Sequence, residues 1–176
     1  MPPVLTPAER ELLESARRAT LATIAGDGRP RLVPVCFVLI GDVVWSPIDE
    51  KPKSVDDVRS LARVRDILGN PRASILVDRW SEDWADLGWV RLSGHASVVD
   101  SDEAAVAALR AKYPQYADHD LEARPMIRFE IARASSWTAS PADRDATAPA
   151  ASATDAVPTG LAASPPDRDA PRRPVE

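Results

Sequence analysis

From residue 89 to 99 the chain reads WVRLSGHASVV, in which Val90, Leu92, Ala96 and Val98 alternate with Trp89, Arg91, Ser93 and His95. A period of two residues predicts a strand with one face in a core and the other outside it. MIRFEIARASSW, residues 126–137, repeats the pattern, with Ile127, Phe129 and Ile131 on one side and Arg128 and Glu130 on the other. Shorter β-rich runs occupy residues 20–25, 43–47 and 73–78. RLVPVCFVLI, residues 31–40, differs from all of these because it is apolar on both faces. Such a strand needs a helix, a second subunit or a flat ligand over the face turned away from the core. Pro34 lies within it, and a proline cannot donate to a ladder, which favours an edge or a bulge and leaves neighbouring backbone groups for a ligand. AGDGRP and Gly41-Asp42 supply turns, so the first three strands read as a meander.

Helical spacing separates these runs. Thr6-Pro7-Ala8-Glu9 is a capping-box pattern with proline at the first helical position, and Leu12, Leu13 and Ala16 continue it, which predicts a helix over residues 7–18. Val58, Leu61, Ala62 and Leu68 share one face of a second helix that starts at Ser54 as N-cap and is closed by Gly69-Asn70-Pro71. Ser101 caps a third, over residues 102–112, which Pro114 ends. Six strands joined mostly by short turns, with three helices among them, make a small β-barrel or sandwich with helical insertions and not a βαβ nucleotide fold.

Composition divides the chain in two. From residue 140 to 176 it is dominated by Ala, Pro and Asp, which cannot bury enough apolar area to offset ordering, so a disordered tail is expected after a domain of residues 1–139. A net charge of −5 argues against nucleic acid as a partner. No apolar run reaches the length of a signal peptide or a membrane helix, and a cytoplasmic protein without membrane contact is expected. Cys36 is the single cysteine, which leaves neither a disulfide framework nor a cysteine-based metal site.

Candidate chemistry is sparse. There is no GxSxG, no GxGxxG after a strand and no P-loop, and neither His95 nor His119 has partners at metal-ligand spacing. No metal and no catalytic acid, base or nucleophile is therefore nominated. Tryptophan outnumbers phenylalanine and tyrosine together, five to four. Trp45 and Trp137 are expected in the core, whereas Trp84 and Trp89 divide between core and an interface or planar ligand. The stretch DEKPKS carries Lys51 and Lys53, with Arg59, Arg63 and Arg65 following. It reads either as a solvated, charge-mixed helix start or as an anion site at a helix N-terminus.

Taken in order, LATIAGDGRPRLVPVCFVLIGDVVW, DEKPKS and NPRASILVDRWSEDWADLGWVRLSGHA resemble the pyridoxamine 5'-phosphate oxidase-like split-barrel superfamily, and within it the actinobacterial F420-dependent oxidoreductases of the FDOR-B group. The resemblance implies a six-stranded antiparallel split β-barrel that forms a homodimer with cofactor sites at the subunit interface. It implies that Pro34, Val35, Cys36 and Phe37 line a deazaflavin ring largely through backbone. It places Ser46, Pro47, Lys51 and Lys53 along the ribityl chain and phosphate, with Lys53 the most direct phosphate ligand, and Trp89 where relatives put a residue that reaches the cofactor. Asp66 stands where the pattern has asparagine. The activity implied is hydride transfer from reduced coenzyme F420 to a small electron-poor acceptor. The same fold with FMN, or as a non-enzymatic carrier of F420, haem or another tetrapyrrole, is the alternative.

Overall fold

The computed structural model describes residues 4–48 and 58–139. Helix α1 spans Pro7–Ser15, β1 Ala19–Ile24, β2 Pro30–Val35, β3 Val38–Ile40 and β4 Val43–Pro47. After a 3-10 turn at Val58–Ser60 follow α2 (Ala62–Gly69), β5 (Arg72–Arg79), β6 (Gly88–Val99), α3 (Glu103–Lys112) and β7 (Met126–Thr138). The seven strands form one antiparallel sheet in the order β2-β1-β5-β6-β7-β4-β3.

That order puts β2 and β3 at opposite edges, although only Cys36 and Phe37 separate them in the chain. Laid flat, the outer strands would stand roughly 29 Å apart at a strand spacing of ~4.8 Å. Three Cα–Cα steps from Val35 to Val38 span at most ~11 Å. The sheet must therefore curl until its edges meet, which makes it a split β-barrel. Seven strands are seen where six were expected because residues 31–40 pair with β1 up to Val35 and with β4 from Val38 onward. The alternation of faces nevertheless runs through the break. Val33, Val35, Phe37 and Leu39 pack on the barrel interior, while Cys36, Val38 and Ile40 join a second core. That second core, with Leu109, Tyr113, Tyr116 and Met126, places α3 over β3. Among the described residues the outward face of β2 has no such cover, and Leu32 is 62% exposed.

The helices fix the curl. Thr6 caps α1 as expected, and the capping-box Glu9, itself buried, also accepts a 2.8 Å hydrogen bond from the Ser136 hydroxyl on β7. This helix ends at Ser15, short of the expected residue 18, as the backbone at Ala16 turns extended and leads into β1. The second helix is also shorter than expected: Leu61 is extended and serves as N-cap without a side-chain bond, and Ser54 lies outside the described residues. Val64 and Ile67 form its buried face, while Leu68 points to solvent at 65% exposure. Asp66, also on that face, accepts 2.8 Å bonds from Thr23 Oγ1 on β1 and Arg31 Nε on β2. A carboxylate suits this buried position because Arg31 compensates its charge. Asp102, one residue after the expected Ser101, caps α3 by accepting from the Ala105 amide.

A bulge between β6 and β7 decides where the tryptophans point. Gly94 pairs with Ile131 but Ser93 pairs with Arg133, so one residue of β7 is extra. Before it Ile127, Phe129 and Ile131 face inward; after it the inward positions are Ala134 and Ser136. A one-residue shift reverses the faces. Trp137, expected in the core, consequently stands outward, 46% exposed and opposite Trp89. None of the described helices is long and apolar enough to cross a membrane.

A Cβ on Gly94 would collide with the Glu130 carbonyl oxygen. Gly94→Ala is expected to lower unfolding free energy by at least ~2 kcal/mol, read as a shift in denaturant midpoint at unchanged slope.

Candidate functional site

The break between β2 and β3 brings together most of the residues singled out in the sequence. The last ladder pair of β3 and β4 is Val38 with Trp45, so one step further sets Phe37 beside Ser46. Ser46 and Pro47, both buried, thus lie next to Cys36 and Phe37, with Pro34 and Val35 leading into the break. Lys51 and Lys53 lie outside the described residues. Trp89 does not join the cluster: it is on β6, three strands from β2, or ~14 Å along the sheet.

Pro34 sits on an edge strand, as its missing donor requires. Phe37 is fully buried, and its backbone N–H donates to the Tyr113 hydroxyl at 3.0 Å while its carbonyl accepts from the same hydroxyl at 2.8 Å. A single side chain at the end of α3 thereby replaces the two ladder partners that Phe37 lacks. Cys36 enters neither ladder. It is half-buried, and its N–H and C=O have no hydrogen-bond partner among the described residues. Unpaired peptide groups in a partly buried position are costly unless water or a ligand meets them.

Lys112 supports the break from behind. Its ammonium donates to the Leu13 carbonyl of α1 at 3.2 Å and lies 4.1 Å from the centroid of the Phe37 ring. Burial, reinforced by the like charge of Arg17, lowers its pKa from 10.5 to about 8. Arg17 in turn stacks over Tyr113 at 4.8 Å. Burial pushes the Tyr113 hydroxyl above its usual value of 10.0, so it keeps its proton while Lys112 titrates. Neither residue was weighed in the sequence, where Lys112-Tyr113-Pro114 marks only the end of a helix. An aromatic hydroxyl just before a helix-ending proline was the one available signal.

A family model described as pyridoxamine 5'-phosphate oxidase matches residues 5–138. The chain belongs to that family. Solved structures similar to this family member include the conserved hypothetical protein Rv2991 of Mycobacterium tuberculosis, at 23% identity over 77% of this chain and 86% of that one, with a TM-score of 0.60. A structure titled F420 reductase matches at 21% identity over 74% and 98% of the two chains, TM-score 0.55. HutZ, the haem storage protein of Vibrio cholerae, matches at 17% identity over 75% and 92%, TM-score 0.57. At these identities the likeness establishes the fold. No curated protein matches the chain.

The lowered pKa of Lys112 has a definite sign in stability. Below pH 8 the folded protein bears the full cost of a half-buried ammonium; between pH 8 and 10.5 it sheds that proton while the unfolded chain keeps it; above 10.5 the cost is gone. Stability should thus rise with pH from 8 to 10.5 relative to Lys112→Met, by ~1–2 kcal/mol after discounting for solvent screening. Parallel denaturant titrations of the two proteins across this range measure the difference.

Proposed function

We propose that this protein is an F420-dependent oxidoreductase of the FDOR-B type, which reduces a small electron-poor organic acceptor. The observation that carries the reading is the backbone of Cys36, unpaired among the described residues and set in a barrel break beside Ser46 and Pro47. Similarity to a structure titled F420 reductase supports it at the level of fold.

The residues present fit the group. A planar ring with polar edges would meet the peptide groups of Pro34, Val35 and Cys36, while Phe37 stays behind them as the buried anchor of the break. Ser46 and Pro47 would face the ribityl chain, and Lys51 and Lys53 would hold the phosphate by charge-assisted hydrogen bonds. When bound, the reduced deazaflavin supplies the hydride, which is why the chain needs no nucleophile of its own. Its backbone would position the ring, and its lysines would gather the anionic groups at one mouth in a protein of net charge −5.

The reading also includes a homodimer. Leu32 and Leu76 are exposed on the outward sheet face, with Pro34 in register with Thr20 and Thr20 with Leu76. A second copy would cover this apolar strip, and only from a second copy would Trp89 reach the ring.

Paired titrations of F420 and FMN into the wild type and Lys53→Ala test the assignment. The expected result is tighter binding of F420 than of FMN, and a loss of ~1.5–3 kcal/mol on Lys53→Ala. Unchanged F420 affinity in the variant would refute the phosphate site. Preference for FMN would move the protein to the flavin-binding alternative.

A further inference from the structure

Trp80 and Trp84 stand 72% and 73% exposed on the loop that joins β5 to β6. The cofactor reading uses neither, and neither indole meets another ring or a cation among the described residues. Single exposed apolar side chains are ordinary, but two tryptophans on one short loop mark a contact surface. The loop is ordered by its own bonds. The Asp83 amide donates to the Ser81 hydroxyl at 3.1 Å, the Asp83 carboxylate accepts from the Ala85 amide at 2.9 Å, and Arg79 Nε donates to the Asp86 carbonyl at 2.6 Å. A loop fixed before contact has little entropy left to lose when a partner arrives.

The same loop is acidic. Between Trp80 and Leu87 it carries Glu82, Asp83 and Asp86 and no cation. Asp83 is taken up by the turn, whereas Glu82 and Asp86 form no ion pair among the described residues. A complementary partner therefore brings rigid apolar surface for the indoles and positive charge for the carboxylates.

This chain contains such a segment. Residues 171–174 read Pro-Arg-Arg-Pro, the only P-x-x-P and the only adjacent cations after residue 139. P-x-x-P segments dock on exposed aromatic side chains because their fixed φ angles have already removed much of the entropy that docking would cost. In that extended form Pro171 and Pro174 are ~9 Å apart, and the α-carbons of Trp80 and Trp84 lie within ~14 Å of each other. Attachment favours the encounter. Thr138 pairs with Gly88, and the Ala139 amide donates to the Leu87 carbonyl at 2.9 Å, so the chain at residue 139 is bonded to the base of the loop. The ~30 residues from Ala139 to Pro171 give a flexible-chain separation of ~30 Å, which sets an effective concentration near the millimolar range. Weak intrinsic affinity then suffices for docking.

We propose that the segment Pro171-Arg172-Arg173-Pro174 docks on the β5–β6 loop of its own chain, its prolines against the indoles of Trp80 and Trp84 and its arginines beside Glu82 and Asp86. Exposed ion pairs contribute little, so the prolines on the indoles supply most of the affinity and the charges set the choice of segment. The proposal rests on neither the cofactor nor the dimer.

Two readouts on the full chain test it, one from each side. The indole N–H signals of Trp80 and Trp84, followed by NMR, should shift in Pro171→Ser/Pro174→Ser and in Arg172→Glu/Arg173→Glu, while those of the other tryptophans stay in place. Trypsin should cut the Arg172–Arg173 bond about threefold faster or more in Trp80→Ser/Trp84→Ser than in the wild type, relative to the Arg144–Asp145 bond, with melting points reporting that the variant is folded. Both effects should persist on dilution. Indole signals that ignore the tail variants, or unchanged cleavage in the folded loop variant, overturn the proposal, and so does an effect lost on dilution, which would assign the docked segment to a second copy.

Discussion

Two residues, Cys36 and Phe37, join strands that lie at opposite edges of a seven-stranded sheet. Covalent reach leaves the sheet no choice but to curl, and every other feature of the fold can be read as a response to that closure. At the seam neither ladder can continue. Phe37 solves its share of the problem through Tyr113, whose hydroxyl satisfies both of its backbone groups inside the core. Cys36 has no such partner among the described residues, and the candidate site is the consequence of this difference between neighbours.

The helices are placed where they hold the curl. One lies across the barrel end through the link from Glu9 to Ser136; another clamps β1 and β2 through the carboxylate of Asp66; the third covers β3 and carries Lys112 and Tyr113 to the seam. Burying Lys112 opposes folding on its own account, and its contact with the Phe37 ring offsets part of that cost. A charged group is thus kept at the seam at some expense in stability, which fits a position where the fold is shaped for more than packing.

Much of this was legible in the residues. Period-two alternation located the long strands, the Thr6 capping box located the first helix, and Pro34 pointed to an edge. What could not be read depended on pairing and on register. Continuous alternation through residues 31–40 hides the change of partner, because the chain keeps its face while exchanging β1 for β4. Trp137 looked like a core residue because an unbulged strand would carry Phe129 and Ile131 to the same side as residue 137; a single extra residue opposite Ser93 and Gly94 reverses it. Leu61 broke a helix that its neighbours would have continued. The lysines proposed to hold the phosphate, Lys51 and Lys53, came from the family pattern, and they lie outside the described residues.

The account stands on the contrast between two adjacent peptide groups, and amide hydrogen exchange at Cys36 and Phe37, followed by NMR with and without F420, tests it most directly. In the free protein the Cys36 amide should exchange rapidly while that of Phe37 is strongly protected. Saturating F420 should then protect Cys36 and leave Phe37 as it was. A Cys36 amide already protected in the free protein, or one that F420 at saturation does not alter, would contradict both the open seam and its role in holding the cofactor.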